Sequence, residues 1–137
     1  MSAEAYFDMD QEEPISLGLD PVEIDAFLDR VENEAVTAEV AVMAQIEWVD
    51  SDGSPVLQFG MAPGTRSGFV GHIGATSSAL SRGDSARAGT VAYDYMGNER
   101  VVPKSAEIDL AAVRRAVHRF VVERGARDDG VAWQELE

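Results

Sequence analysis

Asp50 and Asp52 ahead of Gly53 form the arrangement in this chain that most invites a ligand, because spaced carboxylates leading into a glycine open a calcium loop. Counting on from Asp50, however, Pro55 falls where that loop needs its turn glycine and Met61 where it needs a bidentate glutamate. The segment reads instead as a hairpin turn. Gly68, Gly71 and Gly74 recur every third residue, which is not the spacing of a phosphate-binding loop; bulges or close packing account for them. His72 and His118 are the only histidines and cysteine is absent, so a zinc site would need carboxylates, none of which has the spacing of a catalytic zinc signature. Ser77, Ser78, Ser81 and Ser85 crowd one polar segment, yet none stands in the Gly-x-Ser-x-Gly elbow that exposes a nucleophile. The sequence thus names no catalytic residue, metal site or cofactor.

Charge is more informative. The formal net charge is −14, and residues 1–63 hold 15 acids against the single base Arg30, whereas residues 64–137 hold 10 of each sign. An acidic half of this kind repels nucleic acid and anionic lipid, and attracts a basic partner over long range. Arg114, Arg115 and Arg119 are too few to reverse that, and no basic stretch is interleaved with aromatics as a nucleic-acid surface would be. Acidity also serves solubility, which leaves a plain alternative to a binding role. The amino terminus has neither the positive charge nor the apolar run of a secretion signal, and no segment reaches membrane-spanning length, so the expectation is a soluble cytoplasmic protein with no membrane contact.

The elements that would position any site centre on residues 89–125. Residues 90–95 alternate as a strand with Val91, Tyr93 and Tyr95 on one face; Met96-Gly97-Asn98-Glu99 turns the chain, and residues 100–103 return as an edge that Pro103 ends. Asp109 caps a helix whose apolar face is Leu110, Val113, Ala116, Val117, Phe120 and Val121, and Gly125 stops it. Upstream, Asp20-Pro21-Val22-Glu23 opens a helix to about Glu34 that buries Ile24, Phe27, Leu28 and Val31. On its outer side Asp25, Asp29 and Glu32 repeat at helical spacing, a repulsion with only Arg30 nearby to relieve it. Strands are expected at 39–49, 55–61 and 69–74, with short ones at 4–9, 15–17 and 131–133. Turns are expected at 10–14 and 50–54, and loops at 62–68 and 76–89. Together these predict one α+β domain over residues 1–137, with an antiparallel sheet of about five to seven strands and two main helices.

The ordered set Tyr93-x-Tyr95-x-Gly97, Val102-Pro103, Ile108-x-Leu110-x-x-Val113-Arg114-x-Ala116-Val117, Gly125-x-Arg127 and Val131-x-Trp133 resembles the first-numbered immunity protein family of bacterial polymorphic toxin systems. The likeness spans most of the chain and is densest from Phe69 to Trp133. Two departures stand out: residues 76–88 lack the aromatic many members carry there, and Asp128 rather than proline follows Arg127. The resemblance implies a small cytoplasmic α+β protein, an immunity-type domain over residues 1–137, that binds and silences a cognate secreted toxin, often a nucleic-acid deaminase.

On that reading the chain is a binding protein and not an enzyme. A toxin that acts on a polyanion needs a cationic groove, and an acidic inhibitor can occupy it. Placement makes Asp50 and Asp52 in their turn, the flanking Glu47 and Trp48, and Asp94 beside its two tyrosines the first candidates for contact; Asp25, Asp29 and Glu32 are the second. Two other readings stay open: a small acidic enzyme using the loop serines and His72, and a regulatory interaction module with no toxin.

Overall fold

Asp20 and Asp109 each start a helix with their own side chains. In the computed structural model, which describes residues 2–7, 11–49, 54–84 and 86–136, Asp20 accepts from the Val22 N–H at 2.9 Å and Pro21 leads helix α1 (Pro21–Ala38). Asp109 accepts from the Ala112 N–H at 2.8 Å ahead of α2 (Leu110–Val122). Each carboxylate takes a donor that no carbonyl within its helix can reach. The buried stripes are Ile24, Phe27, Leu28 and Val31 on α1 and Val113, Ala116, Val117, Phe120 and Val121 on α2, as expected except that Leu110, at the first position of α2, is only half-buried.

Helix α1 runs a turn past its expected end near Glu34. Ala35 prolongs the stripe, and the chain leaves the helix only at Glu39, which is left-handed at φ 56°; there the Glu39 and Val40 N–H groups close on the carbonyls of Val36 and Ala35 at 3.3 and 3.2 Å. After α2 the Gly125 N–H, at φ 100°, closes on the Phe120 carbonyl at 2.7 Å. That carbonyl also accepts the buried indole N–H of Trp48 at 3.1 Å, which ties the sheet to the helix end.

The strands are β1 (Ser2–Tyr6), β2 (Ile15–Leu17), β3 (Val42–Val49), β4 (Val56–Ala62), β5 (Ser67–Ile73), β6 (Ser78–Ser81), β7 (Thr90–Tyr95), β8 (Asn98–Pro103), β9 (Ile108–Asp109) and β10 (Trp133–Leu136). They form one sheet ordered β10-β6-β5-β4-β3-β1-β2, with the β7–β8 hairpin joined to β3 and β9 joined to β5. The pairings are antiparallel except for a parallel bridge between Val42 and Asp94. Among the described residues the architecture is the expected α+β with two α-helices, but the sheet has ten strands where five to seven were expected. The two strands with no expected counterpart, β6 and β9, are made by pairing.

Strand β6 shows why. It lies inside residues 76–89, expected as loop, and is held between β5 and β10, with Ser81 buried as a bracket: its hydroxyl accepts from the Val70 N–H at 3.1 Å and donates to the Ala106 carbonyl at 2.7 Å. Elsewhere the strands shift by a few residues, β3 starting at Val42 and β10 at Trp133. The expected turn residues 50–53, and Asp8 and Met9 of the expected first strand, lie outside the described residues. In the hairpin the two turn residues are Met96 at φ 51° and Gly97 at φ 85°, the pair of positive φ values that a two-residue turn between strands needs.

Two apolar clusters follow from this layout. The larger joins both helices to Val42, Ala44, Ile46 and Trp48 of β3 and Leu57, Phe59 and Met61 of β4. The smaller lies on the opposite face beneath the hairpin, where Met43, Phe69, Tyr93 and Ala106 are buried and Val91 and Tyr95 pack against them. Gly60 makes that second cluster possible, since a Cβ there would stand 2.5 Å from the Tyr93 ring and 2.6 Å from the Phe69 ring.

Candidate partner interface

Among the described residues the candidate acids fall into two kinds, those that already have an arginine or histidine partner within the fold and those that do not. Asp25, Asp29 and Glu32 belong to the first. Arg114 of α2 reaches Asp29 at 2.8 Å, Asp25 at 3.4 Å and Glu32 at 3.7 Å, while His118 Nε2 meets the Asp25 carboxylate at 2.8 Å. The hydrogen bond from His118, with further help from Arg114, holds the Asp25 carboxyl below the usual carboxylate range. Relief of the acidic ridge therefore comes from the second helix, one turn apart on its surface. Arg30, the only base within reach in sequence, lies over the Phe7 ring at 5.1 Å instead.

Trp48 is turned inward and only 4% exposed, so it supports β3 from the core side rather than offering an aromatic to a partner. Its neighbour Glu47 is half-buried on the other face, directly opposite Glu4 of β1. Asp50 and Asp52 lie outside the described residues. Asp94 is half-buried, its N–H bonded to the Ala41 carbonyl at 2.8 Å, and stands directly opposite Glu99 across the hairpin. Burial raises the Tyr93 hydroxyl pKa far above the ordinary phenol value, and burial raises that of Tyr95 too, so both tyrosines beside Asp94 stay protonated.

Of the residues that could have done chemistry, His72, Ser77 and Ser81 are engaged in the fold. His72 is 8% exposed, and its Nε2–H donates to the Gly125 carbonyl at 2.6 Å beside Phe120 and Trp133. Desolvation lowers its pKa, favouring the neutral ring. Ser77 accepts from Arg127 at 3.3 Å, Ser81 is the buried bracket described above, and Ser85 lies outside the described residues. Among the described residues no group of three or more acidic or imidazole side chains is arranged to hold a metal ion. Among them, too, no helix is long and apolar enough to cross a membrane.

One feature escaped sequence reasoning. At the end of α1, Val36 and Val40 are 57% and 46% exposed and line a groove of about 520 Å³ with Ala41, Pro63 and Glu39. The available signal was Val36 itself, an apolar residue off the buried stripe; the left-handed Glu39 gave none.

Comparison with known proteins bears on all of this. The family model for the immunity protein Imm1 matches residues 13–135, a span that takes in both helices, the groove, the Asp94–Glu99 pair and the hairpin. Comparison with curated proteins returns no match. Since the matched span covers most of the sequence and includes each motif that carried the resemblance, the chain belongs to the Imm1 family of immunity proteins.

Proposed function

We propose that this protein binds a cognate secreted bacterial toxin in the cytoplasm and silences it without turning over any substrate. The toxin is a nucleic-acid-modifying enzyme of the deaminase kind, and the inhibitor covers its cationic active-site groove. The observation that carries the reading is family membership over residues 13–135, since an immunity protein acts on a toxin. The charge asymmetry supports the finer part: the net charge of −14 arises entirely in residues 1–63 and suits a basic partner. Glu47, Asp94, Asp50 and Asp52 are the acids proposed to meet it. Asp25, Asp29 and Glu32 add less, because Arg114 and His118 already answer them. Trp48 contributes by stiffening the strand that carries Glu47.

Co-purification with the toxin domain encoded by the neighbouring gene tests this, together with an assay of that toxin on nucleic acid with and without the protein. A stoichiometric complex and loss of toxin activity are expected, with an association rate that falls steeply as salt rises. No complex, or a complex in which the toxin keeps full activity, refutes the function; a salt-insensitive association rate refutes the electrostatic part alone.

A further inference from the structure

The groove at the end of α1 does not stop at Val40. A second depression of about 270 Å³, lined by Ala92, Tyr93, Asp94, Gly97 and Glu99, shares Val40 and Ala41 with it, so the two meet across that dipeptide. The first is apolar, with Glu39 its one charged lining residue; the second carries Asp94 and Glu99. Three features of this spot work against stability. Glu39 holds a left-handed conformation that glycine adopts more cheaply, and Asp94 and Glu99 face each other directly as like charges across β7 and β8. Val36 and Val40 stay open to water. Among the described residues no cation pairs with Glu39, Asp94 or Glu99, in contrast to the ridge acids that Arg114 and His118 answer.

We infer that this joined groove is where the toxin docks, and that its occupant is a segment presenting an apolar side chain beside a lysine or arginine. The apolar chain fills the depression over Val36, Val40 and Pro63, and the cation lies between Glu39, Asp94 and Glu99. The chemistry of the lining selects this occupant: an anionic or wholly apolar segment would leave three carboxylates repelled or unanswered. The inference rests on the toxin-binding reading and deepens it, because it identifies which acids are free for a partner.

The test measures binding kinetics with the purified toxin domain encoded by the neighbouring gene. Val36→Asp weakens the complex about tenfold or more, mainly through faster dissociation, because the site lies where an apolar side chain is desolvated. Glu39→Gly and the double change Asp94→Asn, Glu99→Gln each slow association about threefold or more while matching or exceeding the wild-type melting temperature, since they remove strain or repulsion along with charge. Glu135→Gln, at an exposed acid already paired with Arg127 and outside both depressions, leaves affinity within about twofold, as exposed paired charges contribute little. If wild type captures the toxin and these folded variants bind equally well, the groove assignment is wrong and the function stands. If wild type fails to capture it, the function falls and the groove assignment with it.

Discussion

Replacing Gly60 by alanine tests the packing that holds the hairpin, and with it Asp94 and Glu99, against the sheet. Gly60 sits in β4 between Met43 of β3 and Phe69 of β5, and the Tyr93 ring fills the space its side chain would take. A methyl there would lie 2.5 and 2.7 Å from two Tyr93 ring carbons and 2.6 Å from one of Phe69. Carbon atoms rest comfortably at about 3.5–4.0 Å, so both rings, or the strand that carries the methyl, must move by about 1 Å. The two rings meet edge to face with centroids 5.0 Å apart, leaving neither free to yield alone. Overpacking of this kind costs about 1–3 kcal/mol, and losing the ring pair adds about 0.5–1.5 kcal/mol. Removing a glycine from a strand interior returns about 0.5–1 kcal/mol. The expected net is a loss of about 0.5–4 kcal/mol, a fall in melting temperature of about 2–15 °C for a domain this size. Urea denaturation followed by circular dichroism measures it, in wild type and in a Tyr93→Leu background. The cost of Gly60→Ala should shrink once the ring is gone. A Gly60→Ala protein as stable as wild type, or an equal cost in both backgrounds, refutes the account.

Two further outcomes follow from the electrostatics. Because burial lowers the folded-state pKa of His72, the unfolded chain binds the extra proton; the stability gained from keeping His72 neutral is present above the ordinary histidine value of about 6.5 and declines as pH falls below it. Urea melts at pH 7.5 and 5.5 should show wild type losing more stability on acidification than His72→Gln, and equal losses would reject the linkage. Arg114→Gln unclasps Asp25, Asp29 and Glu32 and restores their mutual repulsion, so it should lower the melting temperature at low ionic strength and have little effect in 1 M salt, where the Debye length is about 3 Å. A drop independent of salt would assign Arg114 a packing role instead.

Much of the fold was legible because its signals are local. The two caps, the two apolar stripes, Gly125 as a stop and the Tyr93 hairpin with its edge strand each depend on residues within a few positions of one another. What was missed has partners far along the chain. Strand β6 exists because Ser81 and its neighbours find Val70, Ala106 and β10, and nothing in Ser-Ala-Leu-Ser announces that. The candidate site was harder still, since exposure of a carboxylate says nothing of whether it is already paired.

The residue order alone determined the two amphipathic helices, the α+β class, the lopsided charge and the family, since periodicity, capping and net charge survive any arrangement of the elements. Only the tertiary structure decided which acids find a cation within the fold. Arg114 answers Asp29 from 85 residues away and His118 answers Asp25 from 93, while Glu39, Asp94 and Glu99 line adjoining depressions and, among the described residues, pair with no cation. Charge is written into the sequence, but an ion pair needs its partners within about 4 Å, and distances that short exist only after the helices and the hairpin have docked.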